Sequence, residues 1–172
     1  MEERPKIKLE LTGIDKVVEI TGWFSLLVIW VFTIVNYTNL PDTIPTHFNA
    51  MGEADGFGGK TSILTLPIIA TILFVGIALL NKYPHIFNYP TRITKENAQR
   101  QYTIATRWIR YLNLVTVLII GYIAFITTQS ARGEADGLGV WFLPLSLGIV
   151  FIPTIYAIVK LIKKSKEKDN KL

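Results

Sequence analysis

The sequence predicts an all-α integral membrane four-helix bundle, made of two like-oriented transmembrane hairpins with both termini inside, and a structured outer loop after the first span. Three observations lead there. Four apolar runs, at 20–37, 63–80, 112–128 and 140–159, contain no Asp, Glu, Lys or Arg. Each suits the roughly 17–25 residues that cross the hydrocarbon layer. A buried soluble helix needs a polar face, and these runs show almost none. Second, 16 of the 18 Lys and Arg residues lie before the first run, between the second and third, or from the end of the fourth onward. Only Lys60 and Arg132 lie elsewhere. Basic residues in short loops stay in the cytoplasm, so the reading is a multi-pass protein of the cell membrane with both termini cytoplasmic. Third, the segment Gly-Glu-Ala-Asp-Gly-Phe-Gly at 52–58 recurs as Gly-Glu-Ala-Asp-Gly-Leu-Gly at 133–139, six of seven positions identical. Both copies precede a span, which is the pattern of parallel repeats about an axis along the membrane normal.

Residues 1–172 read as a single membrane domain. Residues 1–16 are polar with some alternation around Ile7, Leu9 and Leu11, open to a short strand or an interfacial segment. The first run is too long for a signal-peptide core and no small-x-small cleavage site follows it. The second run carries Pro67, tolerated where neighbouring helices satisfy the freed carbonyl. Between the second and third runs, Tyr83-Pro84 and Tyr89-Pro90 break helix. A cytoplasmic amphipathic helix is expected over 94–111, with Thr94 as N-cap and Glu96 in the first turn. Ala98, Tyr102, Ala105, Ile109 and Leu112 share its apolar face, its basic side would meet the membrane surface, and it would run on into the third span. Trp108, Tyr111 and Trp141 suit interfacial belts. Pro144, Gly148 and Pro153 predict a kink in the last span. Asn113 reads as an interhelical hydrogen-bond partner.

Charge and composition exclude several functions. The net charge of +5 is no nucleic-acid signal, because the inner segments hold 16 basic and 8 acidic residues and the outer ones 2 and 5. The inner excess is expected to attract anionic lipid headgroups. The chain has no cysteine, which removes thiolate metal sites, disulfides and cysteine nucleophiles. No Walker loop, nucleophile elbow or His-Glu-x-x-His motif occurs. No span holds an acidic or basic residue, so the usual mark of a proton or ion pathway is missing.

The first outer loop is the richest candidate. Pro41 and Pro45 bias the chain toward extended backbone and would present Thr46, His47, Phe48 and Asn49 as a strip. Pro45, His47, Phe48, Asn49, Gly52, Asp55 and Lys60 are the candidate ligand-binding residues. His47, Glu53 and Asp55, with Glu134 and Asp136 if the outer loops meet, are candidate oxygen and nitrogen ligands for a divalent cation. The alternative is a loop whose polar groups satisfy its own backbone.

This loop, Leu-Pro-x-x-Ile-Pro-x-His-Phe-Asn-x-x-Gly-x-x-Asp followed by Lys (40–60), resembles a bacterial membrane domain of unknown function that also forms the N-terminal part of SdpI-type toxin-immunity proteins. A cytoplasmic segment with Pro90, Thr94, Glu96, Asn97, Gln101 and Tyr102 resembles the same family. The likeness spans roughly residues 20–125, and most of the C-terminal multi-span region of the immunity proteins has no counterpart in this sequence. By resemblance it implies protection against a secreted peptide toxin, or the holding of a repressor at the membrane. Three functions stay open: a non-enzymatic protein binding a peptide or other ligand at its outer face, a metal-binding module or enzyme using His47 and Asp55, and an accessory subunit of a membrane complex.

Overall fold

In a computed structural model, which describes residues 4–169, four helices are long and apolar enough to cross a membrane. They are α1 (Gly13–Tyr37), α2 (Thr65–Leu80) extended by the 3₁₀ turn Lys60–Leu64 before it, α3 (Ala98–Ala131) and α4 (Phe142–Asp169), whose crossing part is Phe142–Lys163. The architecture is not purely helical. An antiparallel hairpin of β1 (Thr43–Phe48) and β2 (Ala54–Gly59) fills the loop between α1 and α2. Large apolar side chains stay uncovered along α1, including Ile20, Phe24 and Val31, and along α4, including Ile152 and Ile155. Apolar surface on this scale requires a lipid environment, so the chain is a multi-pass membrane protein.

α1 begins seven residues before the apolar run, at Gly13, because polar chemistry starts it. Thr12 and Asp15 form a capping box: the Thr12 amide donates to Asp15 Oδ2 at 2.9 Å and Thr12 Oγ1 accepts from the Asp15 amide at 3.4 Å. A 3₁₀ turn, Lys60–Leu64, leads into α2 and places Pro67 in its first helical turn, where Pro is well accommodated. α4 runs through Pro153.

α3 is the hub and packs against α1, α2 and α4. The membrane core joins Leu26 and Ile29 of α1, Ala70 and Phe74 of α2, and Val117 and Ile120 of α3. Gly22 lets the Phe74 ring press against α1, since a Cβ there would stand 2.5 Å from it. Small residues at such crossings permit close helix packing. Two polar side chains tie the helices: Trp30 Nε1 donates to Thr71 Oγ1 at 2.9 Å, and Asn113 Nδ2 to the Phe74 carbonyl at 3.1 Å. α4 is peripheral, with Ala157 and Leu161 its buried apolar contacts.

The N-terminal segment, the 81–97 connection and the C-terminal half of α4 gather at one end, here the basic end. Residues 4–12 form neither a strand nor a helix there. They run as an extended strip with Pro5, Ile7 and Leu9 half-buried and Lys6, Lys8 and Glu10 exposed. Arg4 Nη1 donates to the carbonyls of His85 and Phe87, at 3.2 and 2.6 Å, and lies over the Tyr89 ring. Residues 1–3 and 170–172, with Lys171 of the basic tail, lie outside the described residues.

The helix expected over 94–111 runs into the third span, as its sequence suggests. It is the first part of the 34-residue α3, which starts at Ala98. Thr94 is not its N-cap; instead the Thr94 amide donates to Asn97 Oδ1 at 2.9 Å and the Thr94 carbonyl accepts from Ala98. Asn97 Nδ2 also holds the Arg92 carbonyl at 3.0 Å, so the turn is closed by asparagine. Pro90 is exposed in this connection, as is Glu96.

Candidate functional site

The hairpin end is built on a small core of Leu40, Ile44 and Ile63, covered by Tyr37, Leu64, Leu66 and Ala131. Arg132 Nη2 donates to Asn36 Oδ1 at 2.6 Å and fastens the ends of α1 and α3 beneath it. Lys60 closes the hairpin base: its amide donates to the Asp42 carbonyl at 3.0 Å and its Nζ stands 3.0 Å from Asp42 Oδ1. Lys60 is thereby a staple of the loop.

Asn49 makes the turn. It ends the extended strip, which stops at Phe48. Its Oδ1 accepts from the amides of Met51 and Glu53, at 2.9 and 3.1 Å, and its Nδ2 donates to Glu53 Oε2 at 2.9 Å. Asn side chains stabilise turns in this way. Opposite, His47 Nδ1 and Asp55 Oδ1 pair across the strands at 2.5 Å, with the His47 side chain 71% exposed. Gly56 faces His47 in the register and leaves the room its Cβ needs.

The two copies of the repeat meet, though not as symmetry mates. Gly52, at φ +81°, packs so closely that a Cβ would stand 2.5 Å from the Gly139 backbone. The Leu138 amide donates to the Gly52 carbonyl at 2.7 Å, and Glu53 bridges Gly137 in antiparallel fashion. Gly133, the counterpart of Gly52, meets nothing within 4 Å. The second copy forms no strand of its own beyond that bridge.

The five expected cation ligands do not converge. Only His47 and Asp55 pair, while Glu53 is held by Asn49. Among the described residues no group of three or more His, Asp or Glu side chains is placed to hold a metal ion. Carboxylates spaced for turn formation are drawn to amides and to the neighbouring strand instead.

Of the ligand-binding candidates, Pro45, His47 and Phe48 line a cleft of about 310 Å³ beneath the hairpin. Ile44 to Phe48, five consecutive residues, border it. Side chains of a strand alternate between two faces, so a cleft touched by five in a row runs along the edge of β1. Its other walls are mostly apolar, with Ile63, Leu66, Ile123, Leu138 and Phe142 beside the hydroxyls of Ser62, Thr65 and Thr127. Gly52 instead serves loop docking, and Asn49 the turn.

At the basic end, the family-like residues Gln101 and Tyr102 hold neighbouring elements together. Gln101 and Tyr102 are fully buried. Gln101 Nε2 donates to the Leu161 carbonyl at 3.2 Å and pins α4, and the Tyr102 hydroxyl donates to the Pro5 carbonyl at 3.2 Å. Tyr89 packs on Tyr102 and donates to the Pro84 carbonyl at 2.9 Å; burial holds its phenol above the ordinary tyrosine range.

Sequence reasoning missed one polar cluster. Asp15 is buried and receives Arg107 Nε at 3.2 Å, with Arg110 Nη1 4.0 Å away and Arg110 Nε 3.7 Å from Glu19. The Thr-x-x-Asp spacing at 12–15 is a capping-box signal that an apolar window starting at Ile20 passes over.

Fold and site define a four-span membrane protein with a hairpin-capped cleft at one end. The family described as a domain of unknown function (DUF1648) matches residues 24–71, from α1 through the hairpin into α2. An uncharacterized protein of Archaeoglobus fulgidus is 29% identical over 120 residues, covering 63% of this chain and 66% of that protein. The chain thus spans just under two thirds of that relative's length. No solved structure matches.

Proposed function

We propose that this chain is a non-enzymatic multi-pass protein of the cell membrane that captures an extended, apolar peptide segment at its outer face, along the free edge of β1. The carrying observation is the cleft that follows five consecutive residues of β1. An edge strand offers unpaired backbone groups, Pro45 here contributing only its carbonyl. A peptide added there gains main-chain hydrogen bonds, while flanking pockets select alternate side chains. The apolar walls favour Leu-, Ile- or Phe-like side chains. The cleft falls at the lower end of the roughly 300–1,000 Å³ of small binding sites, enough for a few side chains and not a folded partner. The basic end then faces the cytoplasm, as the distribution of Lys and Arg favours. Resemblance to SdpI-type proteins makes interception of a secreted peptide toxin the biological setting.

The test uses the full chain in nanodiscs and a displayed peptide library. Enriched peptides are measured by calorimetry against wild type, Ile123→Trp, which fills the cleft, and Ile155→Trp on the exposed face of α4. Alternating apolar peptides that lose at least tenfold in affinity with Ile123→Trp alone support the reading. No enrichment, or equal binding to all three proteins, rejects it.

A further inference from the structure

At the opposite end from the β1 cleft lies a second cavity, of about 390 Å³, between the N-terminal strip and helices α1, α2 and α3. Leu9, Val18, Phe74 and Ala78 give it apolar walls. Its charged lining is Lys8, Lys82, Arg110 and a single carboxylate, Glu19. The electrostatics therefore favour an anion.

Arg110 is set to receive one. Its side chain is 15% exposed, and its two carboxylate neighbours, Asp15 and Glu19, stand 4.0 and 3.7 Å away. Both distances exceed hydrogen-bond length, so a closer oxygen would gain more than either. Lys8 and Lys82 are exposed beside it and free to swing toward a phosphate.

Two buried amides add a different demand. Asn81 and Asn113 both line the cavity and are 7% and 5% exposed. Asn81 Nδ2 donates to the Thr106 carbonyl and Asn113 Nδ2 to the Phe74 carbonyl, each at 3.1 Å. Those carbonyls fix which amide atom is nitrogen, since an oxygen cannot donate to them. Each Oδ1 then remains without a partner and is closed off from solvent, so a donor reaches it only as the side chains around it part. A buried acceptor left unpaired is costly, and what it calls for is a donor.

We propose that this cavity binds the headgroup of an anionic phospholipid that carries hydroxyl groups. The phosphate sits among Arg110, Lys8 and Lys82. The headgroup hydroxyls donate to Asn81 and Asn113 Oδ1. The first acyl carbons lie against Leu9, Val18 and Phe74. The site lies where Trp108 and Tyr111, stacked with ring centroids 5.1 Å apart, suit the headgroup level. Lipid is favoured over a soluble phosphate ester because the walls are apolar as well as cationic.

Native mass spectrometry of the full chain tests this, after release from phosphatidylcholine nanodiscs doped with phosphatidylglycerol or with phosphatidic acid. Both lipids are anionic, and only the first carries headgroup hydroxyls. One phosphatidylglycerol retained per chain, at least tenfold over phosphatidic acid, is the expected result. Asn113→Leu should reduce that preference to near unity. Because Asn113 also holds Phe74, Ala78→Phe is the second variant; it fills the cavity without removing a polar group and should abolish retention. Equal retention of the two lipids by wild type overturns the proposal, as does unchanged retention in Ala78→Phe. Full displacement of the lipid by millimolar glycerol phosphate would assign the site to a soluble ester and overturn the lipid.

Discussion

Replacing Gly52 with alanine probes the contact between the two outer loops. Gly52 sits at φ +81°, and its Cβ would stand 2.5 Å from the Gly139 backbone nitrogen and oxygen. A left-handed conformation costs a non-glycine residue about 1–2 kcal/mol. The backbone of 137–139 must also withdraw, which breaks the 2.7 Å hydrogen bond from Leu138 to Gly52, a loss of about 1 kcal/mol. The expected destabilisation of the docked loop is therefore about 2–3 kcal/mol, or roughly 30- to 150-fold in its opening equilibrium. The repeat supplies its own control. Gly133→Ala at the equivalent position carries the same kind of conformational cost, at φ +74°, with nothing within 4 Å to displace. Amide hydrogen exchange at Leu138 is the readout, because local opening governs it. Gly52→Ala should accelerate that amide by one to two orders of magnitude and Gly133→Ala by less than tenfold. Equal acceleration in both variants, or none in Gly52→Ala, would refute the docking geometry.

Three further outcomes are expected. Asp15→Ala removes both the capping box and the acceptor for Arg107, and should lower stability by about 1–2 kcal/mol; a double-mutant cycle with Arg107→Ala that gives no coupling would contradict the contact. Gln101→Leu removes the hydrogen bond to the Leu161 carbonyl, worth about 1 kcal/mol, and should raise the spacing or mobility of spin labels placed on α3 and α4 without shifting labels on α1 and α2. The chain has no native cysteine, so single-cysteine labelling reports topology cleanly: Met51→Cys should react with an impermeant maleimide in intact cells and Tyr83→Cys only after permeabilisation, and the reverse pattern would invert the orientation.

The helices were legible because lipid asks one simple thing of a sequence, length without charge, and four runs supply it. Polar starts were less legible: α1 begins at Gly13 through Thr12 and Asp15, outside any apolar window. The hairpin was half visible. Pro41 and Pro45 announced extended backbone, yet β2 contains three glycines among six residues, and glycine weakens the strand signal. Those glycines are required by cross-strand contact, where Gly56 and Gly58 leave space for His47 and Thr46, and that appears only once the register is known. The same holds for the site. His47 and Asp55 are eight residues apart and pair because the hairpin folds them together. The repeat does not disclose how its two copies contact each other, because similar turn sequences meet different neighbours.

α3 explains why a protein with so little buried surface can hold distinct chemistry at its two ends. At 1.5 Å per residue its 34 residues extend about 51 Å, well beyond the roughly 30 Å hydrocarbon layer. Within that layer lipid removes most of the hydrophobic advantage of packing helix on helix, so polar contacts must fix position. α3 carries them along its length: Gln101 to α4, Arg107 to Asp15, Asn113 to Phe74, and Arg132 to Asn36. It also lines both cavities, through Arg110 and Asn113 at the basic end and Ile123 and Thr127 at the hairpin end. A single helix anchored at four levels gives both sites walls of fixed geometry. α4 joins that frame through Gln101 at its basic end, through the Tyr111 hydroxyl, which donates to the Ile149 carbonyl at 3.1 Å, and through Phe142, which stacks on Tyr122 and lines the hairpin-end cleft.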